Sequence, residues 1–349
     1  CNGASATIES GNFYNLTLNS SSLVLSLTND IVVANTLALT LMATFNGAKI
    51  EVGGDIVFAD TAFSGTGTIV ANGSSDQNIS GVGDVNNFEI NKPSGNLIMN
   101  SNVVINGGAW KHTAGNIVWN DNTVTCNGSP VTLNSGNFFN LIFNSSSMVV
   151  TLENSTTVNN NLTLTALATL NGDSIEAKGD IVFTDVAYDG SGVVIANGTA
   201  NQNISGVGDV NNFEINKSSG DLIFNSSVVI NGGGWVYTAG NLVWNNNTVT
   251  CNGTPVAINN GRYYQLNLNN ASLVLTLTGN TIISNTLTLS ALATIDGGSL
   301  SAEGDIANTD ISWGGTGKLI ASGTSDQTVL GAGDLGVFEI NKSSGNLNF

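Results

Sequence analysis

Charge is what this 349-residue chain has least of: Asp, Glu, Lys and Arg make up only 9% of it, against about a quarter in ordinary soluble domains. Its eight basic residues stand singly, and Arg262 and His112 are the sole arginine and histidine. With a formal net charge of −17 and no basic patch, neither nucleic acid nor an anionic membrane surface is an expected partner. Proline is almost absent, at 3 residues, so the turns must come from the 42 glycines and the many asparagines, which tolerate positive φ. No stretch of about 18 uninterrupted apolar residues exists to span a bilayer as a helix. The nearest, 23–45, is broken by Ser, Thr, Asn and Asp. No secretory leader is visible, which places any such segment outside this sequence. A hydrophobic share of 41% argues against a disordered low-complexity chain.

What the sequence does have is repetition. Cys1-Asn2-Gly3 returns as Cys126-Asn127-Gly128 and Cys251-Asn252-Gly253, an offset of 125 residues. Phe88 to Lys92 returns as Phe213 to Lys217 and Phe338 to Lys342, and Trp110 and Trp119 return as Trp235 and Trp244. The copies are 1–125, 126–250 and a truncated 251–349, with no linker or change of composition between them. A fainter likeness inside a copy, 140–146 to 212–218, suggests smaller units. Strand–turn–strand groups give about six turns of roughly 21 residues per copy, a period typical of solenoid coils.

Short β-branched runs such as Thr248-Val249-Thr250-Cys251 alternate in character, and Gly and Asn punctuate them throughout. Capped apolar runs at helical spacing are lacking. The expected fold is all-β: a parallel β-helix or β-solenoid, continuous through the three copies. At about 4.8 Å per coil, roughly seventeen coils would reach roughly 80 Å. Three tandem β-sandwich domains are the alternative, since about 125 residues suits a sandwich. Segments such as 15–21 and 160–165 resemble the strand repeats of filamentous-haemagglutinin-like giant surface adhesins, and of sheath and filament proteins of bacteria and archaea. The resemblance is one of composition over the whole chain and carries no functional motif. It implies secretion to the cell surface and a β-helical rod.

Few residues suggest chemistry. Alternation puts Cys126 and Cys251 in the core as small hydrophobes, with intermolecular cross-linking as the competing reading. Equivalent cysteines would lie roughly 29 Å apart, too far for a bridge within the chain. The recurring Asp55/Asp180/Asp305 and Asp84/Asp209/Asp334 invite calcium, but no calcium-roll nonapeptide or Asp-x-Asp cluster accompanies them, so Asp turns are expected instead. Neither a metal nor a cofactor is expected. Asn308-Thr309-Asp310 superficially resembles a pectin-cleaving triad, yet its companion motifs are missing, and Asp60 and Asp185 hold the same repeat position. No nucleophile–base set can be assembled, so catalysis is the remote alternative. Phe63, Tyr188 and Trp313 share one position in a Gly/Ser-rich turn. They are possible glycan contacts if exposed and corner caps of the core if not. Thr pairs such as Thr163/Thr165 are too scattered for an ice-binding face, and sequons such as Asn78 and Asn203 follow from composition. The expected role is a non-catalytic structural rod, sheath or filament subunit at the cell surface, with an adhesin segment that binds glycans as the alternative. Self-association end to end is expected, because neither end of the sequence carries a polar cap over its strand edges.

Overall fold

The computed structural model describes residues 1, 3–184, 188–310 and 312–349, so Asp185 lies outside the described residues. Among these the chain is all-β without a helix, its strands stacked in parallel as a β-solenoid of about 17 turns. The chain divides into two compact units, Cys1–Glu176 and Ala177–Phe349, at a position within the second copy that matches none of the copy boundaries.

Alternation explains the core. The strand Asp55–Phe58 turns Ile56 and Phe58 inward, both fully buried, and Asp55 and Val57 outward. In the first unit Leu16 pairs with Leu37, Leu37 with Ile56, Ile56 with Ile79 and Ile79 with Met99, an aliphatic stack through successive turns. Each such side chain contributes about 1.5–3 kcal/mol by leaving water. Single strands of four residues cannot hide an apolar face, so the turns stabilise one another. Partners lie from 17 positions apart, as Val124 and Leu141, to 23, as Ile56 and Ile79.

Each coil has three sides. Longer strands such as Gly11–Asn19 cover two of them, with a register break between Phe13 and Asn15 where the chain rounds the corner. Turns demand glycine where coils approach closely. At Gly47 φ is 94° and a Cβ would stand 2.1 Å from the Leu27 carbonyl oxygen, a contact that no side chain survives.

A copy is not a whole number of turns. The strand Ser5–Ile8 stacks on Val24–Leu27 and Thr44–Gly47, and the Thr44–Ser64 and Asp84–Val104 bridges carry that side on to Val103–Ile105 and Thr123–Cys126. Its repeat counterpart, Val131–Asn134, stacks instead on 108–111, the next side of the coil. The second unit repeats the step: Val256–Asn259 stacks on 233–236, while Thr248–Cys251 follows Val228–Ile230. Each copy therefore runs about six turns and gains one further side.

Candidate functional site

This extra side leaves a break in the ladder at every copy junction. In the first unit 116–118 pairs back to 96–98, and among the described residues no strand pairing carries it forward to Gly136–Asn144. An indole bridges the break instead: Trp119 Nε1 donates to the Asn137 carbonyl at 2.6 Å. The second unit is built alike, where Trp244 Nε1 donates to the Arg262 carbonyl at 2.8 Å. Trp119 and Trp244 are thus set by the topology of the repeat, a role invisible in their local alternation.

Over Trp244 lies a groove of about 450 Å³, within the range of small-ligand sites. Three stacked segments line it: 240–244, 260–262 and 280–284. Its apolar lining is Trp244, Leu242 and Ile282, joined by Tyr237, whose hydroxyl donates to the Gly240 carbonyl at 2.6 Å. Trp244 is rigid from behind, stacked on Phe224 at 4.0 Å and 13° between planes. The rim is polar: Asn241, Asn260, Asn280 and Arg262, whose guanidinium pairs with Glu303. Behind the lining, the Tyr263 hydroxyl is buried without a hydrogen-bond partner, and burial pushes its pKa well up.

The first junction has the same frame with different lining. His112 contacts the Gly115 carbonyl at 2.9 Å, as Tyr237 does Gly240, and Asn137, Ser155 and Thr157 stand where the second has Arg262, Asn280 and Ile282. The sole histidine and the sole arginine thus both fall at copy junctions, His112 at the first in the place of Tyr237 and Arg262 at the second in the place of Asn137.

The residues singled out from sequence fall elsewhere. Phe63, Tyr188 and Trp313 are only 5%, 4% and 6% exposed, so the premise of open sugar-stacking rings fails. Their turn folds over the core: Trp313 Nε1 donates to the Asp334 carbonyl at 2.7 Å, and the Tyr188 hydroxyl accepts the Asn211 N–H at 3.3 Å. The hollow of about 530 Å³ beside Phe63 is walled by amides already engaged, Asn86 and Asn87 with the Gly65 carbonyl and Asn106 with that of Thr61. Cys126 and Cys251 are fully buried. Burial raises both thiol pKa values, that of Cys251 to about 12. Cys1 is exposed.

The aspartates serve the backbone. Asp84 and Asp334 accept the N–H two residues on, at 2.9 Å each, and Asp60 and Asp310 do the same for Ala62 and Ser312. Asp55, Asp180 and Asp305 accept N–H groups of a later coil at 2.8 Å. Among the described residues no three His, Cys, Asp or Glu side chains gather as metal ligands.

One feature escaped the sequence. Lys92 is 2% exposed, its ammonium donating to Gly73 O at 2.8 Å, Ser75 O at 2.9 Å and Gln77 Oε1 at 3.2 Å. Gln77 Nε2 in turn donates to the Val52 and Gly54 carbonyls. Lys217 with Gln202 and Lys342 with Gln327 repeat the arrangement. Burial lowers the pKa of Lys92 and Lys217, and three acceptors compensate each ammonium. The signal was present, in the Lys ending each Phe-Glu-Ile-Asn-Lys run, but alternation alone gave it no partner.

No protein-family model, curated protein or solved structure matches the chain.

Proposed function

We propose that this chain is a non-catalytic structural repeat protein of the cell surface, part of a rod, sheath or filament. The observation that carries the reading is where the polar side chains go. Asn35 bonds Asn15, Asn100 bonds Asn78 and Asn78 bonds Asp55, each from one coil to the next at 2.8 to 3.1 Å. Among the buried ionisable groups, Lys92, Lys217 and Asp84 are tied to backbone and the two core cysteines are packed in the core. Side chains spent on joining coil to coil favour mechanical continuity over turnover. The sparse charge and the resemblance to surface-protein strand repeats support an extracellular setting.

The test is immunogold electron microscopy of intact source cells with an antibody raised against the whole chain. A continuous labelled coat or fibre is the expected result. Label confined to the cell interior, or protein released entirely as free monomer, would overturn the reading.

A further inference from the structure

The junction groove over Trp244 has a lining that the structural role does not call for. Bridging the ladder break needs only the indole and the Arg262 carbonyl. It does not need a tyrosine, three asparagines and the chain's only arginine beside an apolar lining. The first junction bridges the same break with His112, Asn137, Ser155 and Thr157 in the equivalent places. The frame is constant and the lining varies.

We propose that this groove binds a neutral pyranose residue of a glycan. A pyranose has an apolar C–H face and a periphery of hydroxyls, each both donor and acceptor. The part-exposed Leu242, Ile282 and Tyr237 suit the first, with Trp244 itself only 9% exposed. The second is met by the NH₂ of Asn280 and by the side-chain oxygens of Asn241 and Asn260, whose NH₂ groups are held by Asp221 and Asn259. Arg262 is neutralised by Glu303, which selects against an anionic ligand, while its other N–H groups have no protein partner among the described residues. Asn280 is held by its oxygen, which accepts from Ser299 at 2.8 Å and Ser301 at 2.7 Å, leaving its NH₂ for a ligand. Two backbone positions that an extended peptide would use here are taken: the segment 281–283 is paired on both flanks, and the Trp244 indole closes the Arg262 carbonyl. Tyr237, Leu242 and Ile282 sit on regular strands, and Trp244, just past the end of one, is held by stacking on Phe224, so the site is formed before the ligand arrives. This inference stands independently of the structural role.

The whole chain would be applied to an array of immobilised neutral hexose and N-acetylhexosamine oligosaccharides, and the best binder titrated against tryptophan fluorescence. Saturable binding of at least one neutral glycan is expected. Arg262→Ala and Asn280→Ala are exposed and should fold normally by circular dichroism. Each should weaken binding about tenfold, as expected for loss of one well-formed hydrogen bond. Lys318→Ala, outside the groove, should leave binding unchanged. Failure to bind any neutral glycan, binding by Arg262→Ala and Asn280→Ala as tight as that of the parent chain, or binding only of acidic oligosaccharides or peptides would each overturn the proposal.

Discussion

The side chains that matter most singly in this protein are polar ones that the stack has swallowed. Removing Lys217 leaves the Gly198 and Ala200 carbonyls and Gln202 Oε1 without their donor. Lys217→Met should therefore cost about 1–3 kcal/mol, read as a lowered urea midpoint, because the orphaned acceptors outweigh any gain in apolar fit. An unchanged midpoint would mean that water replaces the ammonium. Asp84 works in the opposite sense. Burial raises its pKa above 3.8, and this outweighs the hydrogen bonds from Asn86 and Asn106. Its carboxyl then binds a proton more readily folded than unfolded, so its contribution is fullest below pH 3.8 and is lost as pH rises through the raised value. Asp84→Asn keeps an acceptor for the Asn86 and Asn106 N–H groups and removes the charge. It should be at least as stable as the parent at pH 7, with any advantage vanishing near pH 3. An advantage that grows on acidification would contradict this. For the thiols, Cys1 should react with a maleimide at once in the native protein, and Cys126 and Cys251 only after denaturation. Prompt native labelling of Cys251 would show that its side is open.

At the scale of the element, the junction tryptophan stands in for a missing stretch of ladder. Trp119 packs on Trp110 at 6.1 Å and Phe138 at 5.7 Å while its Nε1 holds the Asn137 carbonyl. Trp119→Phe keeps the ring contacts and loses the hydrogen bond, at a cost of about 0.5–1.5 kcal/mol. Hydrogen exchange should quicken at 136–138 and stay unchanged at Asp55–Phe58, remote in the same unit. Uniform quickening would mean that the indole supports the whole stack. The strands and their inward faces were legible from alternation, as Thr248–Cys251 shows with Val249 and Cys251 fully buried. The turns were not. Phe63 and Trp313 sit among Gly and Ser, where period 2 is lost, and only the path of the turn over the coil decides that they point inward.

For the molecule as a whole, stability is a sum of neighbour terms, because each coil contacts chiefly the coils beside it. Trp110 and Trp119 report on one compact unit, Trp235, Trp244 and Trp313 on the other. Denaturation followed by tryptophan emission and by far-ultraviolet circular dichroism should give transitions that do not coincide, with an m value below that expected for 349 residues unfolding together. A single coincident transition would make the chain one cooperative body.

Repetition and local alternation, both properties of the chain as written, determined the all-β coil, its count of about six turns per copy and the burial of Cys126 and Cys251. Contacts between successive coils are nearly fixed in sequence distance, so their pattern can be read without coordinates. Where a copy ends relative to the sides of the coil cannot be read that way. Turn lengths range from 17 to 23 residues, and only their accumulated total decides that each copy advances by one side beyond six turns. That remainder breaks the ladder, calls for Trp119 and Trp244, and gathers Tyr237, Arg262 and Asn280 around one groove. The tertiary structure alone decided it, because a phase summed over a whole copy leaves no mark on any single strand.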